Sequence, residues 1–324
     1  MKKILITGIT GFVGTNLARY LAKHTDLELY GLIREGSNTA ALKDVDIKRF
    51  FKLEELDQCE VDGVVHAIGK AHDLEKKSAE HEYFKINQYL TQNIYDWYLA
   101  SGASKFIYIS SIKAVRDRSA QVVDETLTPQ PADAYGKSKL KAEQYILSAG
   151  NSNDYILRPC IIHGPGNKGN LSLLHSFLSK GIPYPLGAFQ NQRSFLSIEN
   201  LCFVIHQLLT REITGGVYHV ADDQPLSTVE LVEIMGGVLN KKPKIWSVPA
   251  RMISFMARAG DQFSLPFNSE RLQKLTESYV VSNTRIKEAI DRPFPLSVEE
   301  GLRKTFASLQ KREVSRSDVA NAGH

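Results

Sequence analysis

The sequence predicts an α/β fold, a doubly wound parallel sheet followed by a smaller α/β lobe, and three observations carry that prediction. Short runs rich in Val, Ile and Tyr alternate with amphipathic helical stretches through the first half. The first run leads directly into Gly8-Ile9-Thr10-Gly11-Phe12-Val13-Gly14, a glycine-rich turn that opens a helical pattern. After Gly164 the alternation yields to turn-forming sequence, with Pro165, Gly166, Gly169, Gly181, Pro183, Pro185 and Gly187 in close succession. Strands alternating with helices require right-handed crossovers, and therefore a parallel sheet covered on both faces.

Taken in order, residues 3–7 read as a buried strand, 13–23 as a helix, 27–33 and 63–68 as strands, and 82–100 as a helix. A strand over 106–110, a helix over 135–148 and a strand over 155–162 complete the sheet-forming part. Beyond the loop-rich stretch, a helix over 171–179, a strand over 217–220 and helices starting at Thr228 and Glu299 predict a lobe partly interleaved with the sheet. The polar tail, 311–324, is expected to be disordered.

Composition narrows the function classes. The 40 Lys and Arg nearly balance the 36 Asp and Glu, giving +4 with no concentrated basic face, so nucleic acid is not an expected partner. Cys59, Cys160 and Cys202 lie too far apart in sequence for a disulfide framework or a metal cluster, so no metal site is expected. The apolar run at residues 4–6 ends too early for a signal-peptide core, and no apolar stretch reaches the ~18 residues of a membrane helix. The expectation is a cytoplasmic chain, able to work beside a membrane without stable insertion.

The glycine-rich turn has a physical reading. Gly8 permits a tight turn, Gly11 lets backbone approach a pyrophosphate, and Gly14 brings helix close to strand, while the helix N-terminus presents N–H donors to an anion. This predicts dinucleotide binding over residues 8–14, with Gly8, Thr10, Gly11, Phe12, Val13 and Gly14 as contacts. Residues 1–164 then form the dinucleotide-binding domain, and 165–310 mainly the substrate-binding lobe. The second predicted strand ends in Ile33-Arg34-Glu35, with no carboxylate at the position that usually meets the adenosine ribose and an Arg just beyond it. NADP(H) is expected over NAD(H), with Arg34 on the extra phosphate; the alternative is a solvated Arg34 with Glu35 reaching the ribose of NAD(H).

Tyr135 and Lys139 stand four apart at the start of a helix and share a face. An ammonium beside a phenol lowers its pKa toward the working range and suits acid–base chemistry at an alcohol or ketone. The spacing is common by chance, and position gives it weight. The strand 106–110 runs into Ser110-Ser111, and C-terminal strand ends line the ligand crevice of such a sheet.

Together, the stretch from Thr7 to Gly14, Val64-Val65-His66-Ala67, Asn87, Ser110-Ser111, Tyr135-Gly136-Lys137-Ser138-Lys139, Leu157-Arg158-Pro159 and Gly164-Pro165 resemble the extended short-chain dehydrogenase/reductase family, in the branch acting on nucleotide sugars. The resemblance covers residues 1–308. It implies a Rossmann-type domain in which Tyr135 is the acid/base, Lys139 orients the nicotinamide ribose and Ser111 holds the sugar oxygen, with Ser110 beside it. It also implies cofactor contacts from the strand-end backbone of His66 and Ala67, with the His66 side chain packed, and from Asn87 and Pro159, with the asparagine bending its helix and supporting Lys139. Asn170 is implied to open a helix toward the substrate diphosphate, and Arg193 and Arg271 to meet its phosphates. His72 and His163 are read as structural.

The family hosts 4-epimerisation, 4,6-dehydration and 4-keto reduction. Its dehydratases carry an Asp-Glu pair where this chain has Ile112-Lys113, so dehydration is not expected. The chain is similar to bacterial UDP-sugar 4-keto reductases of surface-polysaccharide synthesis, and Arg34 points the same way. UDP-glucose or UDP-N-acetylglucosamine 4-epimerisation is the alternative, and a non-catalytic nucleotide-binding regulator the remote one. The resemblance further implies a homodimer through helices 82–100 and 135–148.

Overall fold

The computed structural model describes the backbone of residues 2–70, 79–167, 170–262 and 268–321; the side chains of Asn170, Glu270, Arg271, Lys274, Leu275 and 312–321 also fall outside the described set. In chain order the first half runs β1 (Lys3–Thr7), α1 (Phe12–His24), β2 (Glu28–Leu32), β3 (Ile47–Phe51) and β4 (Gly63–His66). It continues through α2 (Glu80–Tyr83), a π-helical stretch Phe84–Tyr89, α3 (Leu90–Ser101), β5 (Lys105–Ile109), α4 (Ala134–Ser148), β6 (Asp154–Pro159) and β7 (Ile161–His163). The second half contains α5 (Asn170–Ser179), β8 (Phe195–Ser197), α6 (Ile198–Thr210), β9 (Gly216–Val220), α7 (Thr228–Val238) and α8 (Ala250–Gln262). It ends with α9 (Ser269–Thr276), α10 (Thr284–Ile290) and α11 (Val298–Asn321).

Seven strands form one sheet in the order β3-β2-β1-β4-β5-β6-β9, and every pairing in it is parallel. The central strands β4 and β5 are buried along their full length, as a sheet covered on both faces demands. One face packs Leu17, Leu21, Val204 and Ile205 from α1 and α6 against Ile4, Ile6 and Ile107. The other packs Ile94, Tyr95, Ala142 and Ile146 from α3 and α4 against Leu5, Val64 and Phe106. The chain reverses direction across the sheet at β1, flanked by β2 and β4, and this places the ligand crevice at their C-terminal ends.

The structure departs from the sequence reading at two strands. The predicted strand 155–162 is two strands in two sheets: β6 ends at Pro159, which has no N–H to donate, and β7 pairs with β8. Strand β3 goes unpredicted because its Lys48 and Arg49 are exposed at the sheet edge and break the apolar run. The second half is deeply interleaved with the sheet: β9 is its seventh strand, and α6 packs on α1. A separate core gathers Tyr184, Leu186, Val232, Met235, Ile253, Leu302 and Phe306 in the smaller lobe. Helix α11 continues to Asn321, through the polar stretch in which the sequence suggests a disordered tail.

Candidate active site

The glycine turn adopts the geometry its sequence demands. Gly8 has φ +68°, and a Cβ there would lie 2.9 Å from the Ala67 carbonyl carbon at the end of β4. A Cβ on Gly14 would lie 2.3 Å from the Gly8 oxygen, so only glycine lets α1 approach the turn so closely. Gly11 caps α1 with no side-chain bond to the first turn, and that turn holds no acidic residue. Thr10 and Gly11 are exposed, with Phe12 and Val13 half-buried behind them. A helix N-terminus with open N–H groups and no carboxylate is suited to a pyrophosphate, and the cradle fits a dinucleotide cofactor. Across it, Gly164 lies against Ile198 and Phe12, where a Cβ would meet Ile198 Cγ2 at 2.2 Å.

Two sequence-predicted cofactor positions border the cradle. Arg34 is exposed in a turn after β2, its N–H donating to Ser37 Oγ at 3.2 Å. Ala67 follows β4 and is partly open. The His66 side chain is fully buried beneath the sheet end. Thr91 donates its hydroxyl to the Asn87 carbonyl (2.8 Å), so it accepts from His66 Nε2 (3.0 Å), leaving Nδ1 to accept from Thr7 Oγ1 (2.7 Å). Burial, reinforced by the Lys139 charge, drives the imidazole pKa down to about 3. It is a neutral brace, and only its backbone can border a ligand.

The predicted catalytic residues converge. Asp133 caps α4 by accepting the Gly136 N–H at 2.7 Å, which fixes the first turn carrying Tyr135. The turn 112–114 after Ser111 lies so close to α4 that a Cβ on Gly136 would sit 2.4 Å from the Lys113 oxygen. Lys113 is held by Asp117 (3.2 Å) and Asp133 (3.0 Å), strapping the Ser111 loop to the helix start. Ser111 thereby reaches Tyr135 in a hydrogen bond that lowers the phenol pKa, but burial outweighs it and the pKa is raised. The net change at Tyr135 is therefore a rise, where the sequence suggests a fall. Gly136→Ala is expected to cost about 1–3 kcal/mol by overpacking and to lower activity by parting Ser111 from Tyr135; thermal melts and initial rates check both.

Lys139 is almost wholly buried, donates to the Ile109 carbonyl at 2.9 Å and lies 4.8 Å over the Tyr108 ring. Burial lowers its pKa to about 8, with the Glu143 charge opposing. Asn87 lies inside the π-helical stretch, where the widened turn brings its side chain inward. It donates to Ser138 Oγ (3.0 Å) and the Lys70 carbonyl (3.2 Å) and accepts the Lys70 N–H (2.7 Å). It thus ties the loop after β4 to α4 next to Lys139, acting through neighbours.

Ser110 requires a correction. It is buried and donates to Glu143 Oε1, away from the crevice, because successive residues at a strand end face opposite sides. Glu143, missed by the sequence reading, is fully buried and accepts from Arg158 Nε (3.1 Å to each oxygen) and Nη2 (2.6 Å). Arg158 Nη1 meets His219 Nε2 at 3.4 Å, and His219 Nδ1 meets the Val123 carbonyl at 3.3 Å. The detectable signal was spacing: Glu143 stands four residues after Lys139 on the same helix face.

On the far side of the crevice, Arg193 pairs through its backbone with Leu226, and its neighbour Gln192 accepts the Tyr279 N–H. Tyr279 also donates its hydroxyl to the Arg116 carbonyl at 2.7 Å, linking this strip to the loop after Ser111. Burial lowers the Arg193 pKa, with the Glu277 charge opposing. Pro159 closes β6 at the crevice. Asn170 begins α5 and Arg271 lies on α9, but both side chains fall outside the described residues. His163 is buried with Nδ1 against Thr305 at 2.9 Å, and His72 also falls outside the described residues. Among the described residues, no His, Cys, Asp and Glu group could hold a metal ion.

The model of the NAD dependent epimerase/dehydratase family matches residues 4–221. The chain is 32% identical over 319 residues to the UDP-glucose 4-epimerase of Vibrio cholerae, covering 94% of each. It is 27% identical over 266 residues to the GDP-6-deoxy-D-mannose reductase of Pseudomonas aeruginosa, covering 78% of this chain and 84% of that one. Its fold superposes on UDP-N-acetylglucosamine 4-epimerase from Bacillus cereus with a TM-score of 0.75 at 20% identity, over 96% and 100% of the two chains.

Proposed function

The chain belongs to the NAD dependent epimerase/dehydratase family, and on that premise we propose that it reduces the C4 ketone of a UDP-linked sugar, with NADP(H) preferred to NAD(H). The observation that carries this reading is the assembly of Ser111, Tyr135 and Lys139 beside a glycine cradle, with β2 next to it ending in Leu32 rather than a carboxylate and Arg34 in the turn that follows. When bound, the nicotinamide cofactor supplies the hydride chemistry. Tyr135 gives its phenolic proton to the C4 oxygen, Ser111 holds that oxygen in line, and the Lys139 ammonium orients the cofactor ribose. Arg193 and the N-terminus of α5 meet the substrate phosphates.

Dehydration lacks its machinery. Ile112 is buried, and Lys113 is bound to two aspartates, so neither supplies the extra acid and base an elimination needs. UDP-hexose 4-epimerisation is the second reading, favoured by the 32% identity to the Vibrio cholerae enzyme. The deciding experiment incubates the protein with a UDP-4-keto-6-deoxy-N-acetylhexosamine plus NADPH, and in parallel with UDP-galactose or UDP-N-acetylgalactosamine without added cofactor. NADPH oxidation in the first supports reduction; inversion at C4 in the second replaces it with epimerisation.

The cofactor preference has its own test. Arg34→Ala is expected to weaken NADPH about ten- to a hundred-fold and NADH little, measured by fluorescence titration, because a guanidinium contact to phosphate is lost in one case only. Equal losses would remove Arg34 from the 2′-phosphate. The enzyme is further proposed to dimerise through α3 and α4, on which Leu99 and Leu147 are exposed apolar residues, and to work in the cytoplasm.

A further inference from the structure

Helix α8 carries two apolar arcs. Ile253, Ala257 and Gly260 turn inward and close the core of the smaller lobe. Met252, Phe255 and Met256 form a second arc that faces outward, at 58%, 73% and 55% exposure, and Trp246, four residues before the helix, is 57% exposed. A helix that only covers a core needs one apolar stripe with a polar face opposite. Large apolar side chains grouped in the open mark a surface that meets something else.

The charge along this stretch is mainly positive, with Asp261 near the end of α8 occupied by the Ser269 N–H. Between Glu233 and Asp261 the chain carries Lys241, Lys242, Lys244, Arg251 and Arg258 and no carboxylate side chain. All five are exposed. Arg251 and Arg258 stand seven residues apart, so they share one edge of α8 beside the outward apolar arc. Lys241, Lys242 and Lys244 line an open cleft of about 390 Å³ together with Lys180, and the exposed Ile182 lies on the same cleft.

We propose that α8 and residues 241–246 form a docking surface for an anionic lipid bilayer, holding the protein against a membrane face. The outward arc would enter the boundary between headgroups and acyl chains, Trp246 would sit at headgroup level, and the five cations would meet lipid phosphates. No helix of the described residues is long and apolar enough to cross a membrane, so the attachment is peripheral. A second copy of the chain is a poorer occupant: two-fold pairing of this patch would set its five cations against five more.

The test is sedimentation of the whole chain with vesicles of phosphatidylcholine alone and of phosphatidylcholine with phosphatidylglycerol. Binding is expected to the anionic vesicles and to weaken with added salt. Phe255→Ser with Met256→Ser, both at exposed positions, should lower it roughly tenfold or more while leaving NADPH affinity unchanged. Arg251→Gln with Arg258→Gln should remove the preference for phosphatidylglycerol. Trp246 provides a second readout, a blue-shifted emission on binding, since the other tryptophan, Trp97, is half-buried with its indole N–H on the Leu56 carbonyl. Failure to sediment with either vesicle overturns the proposal, as does undiminished binding by the serine variant. A concentration-dependent dimer that the serine changes abolish, without lipid binding, would assign the patch to a second copy instead.

Discussion

Replacing Tyr135 by Phe is expected to lower kcat by about 10²- to 10⁴-fold, with melting temperature and cofactor affinity close to wild type. The substitution removes one hydroxyl and keeps the ring, whose edge-to-face contact with Tyr83 (centroids 6.2 Å apart) is untouched. Among the described neighbours, Ser111 is itself the hydrogen-bond partner of Tyr135, His66 is neutral and enclosed, and Lys139 is turned toward the Ile109 carbonyl, so none of these three takes over that proton. Because burial raises the Tyr135 pKa in this structure, the residue is held as the acid, the form a ketone reduction consumes. A variant that retains cofactor binding and near wild-type turnover would take the chemistry away from Tyr135.

How much of this could be read from sequence depends on the range of the forces involved. The glycine cradle is local: a strand, a turn needing positive φ at Gly8 and a helix packed through Gly14 lie within a dozen residues, so spacing alone shows the geometry. The Tyr135–Lys139 pair is legible for the same reason, being one helical turn. Ser110 and Ser111 are adjacent and chemically identical, and what separates them is Glu143, 33 residues along, which captures the first and leaves the second to Tyr135. No local pattern reports that choice. Strand β9 is similarly opaque, since its place beside β6 is decided by an edge vacant after all earlier strands have paired. Asn87 lies between these cases: the residue is visible, but its function depends on a π-helical turn that no propensity predicts.

Glu143 gives the largest expected effect on stability. Replacing it by Leu would leave the Arg158 guanidinium buried with only the 3.4 Å contact to His219 Nε2, and strip Ser110 of its acceptor. Breaking a buried pair from one side costs about 3–5 kcal/mol, whereas replacing both partners by apolar groups of similar volume is often neutral. Glu143→Leu with Arg158→Met is therefore expected to recover most of the melting temperature lost by Glu143→Leu. The double variant then isolates a second effect. In the wild type, burial lowers the Lys139 pKa to about 8 from 10.5, and the Glu143 charge opposes that fall. A lysine depressed in the folded state binds fewer protons there than when unfolded, so stability rises with pH between those two values. Without the carboxylate the folded value drops further, and the lower edge of that window moves to lower pH. Loss of that carboxylate lowers the pKa of Lys139, so an alkaline limb of kcat that reports this lysine should shift downward. A stable double variant with the wild-type pH profile would reduce Glu143 to a packing role; a shifted profile in a protein that melts normally would make it the residue that keeps Lys139 charged within its buried site.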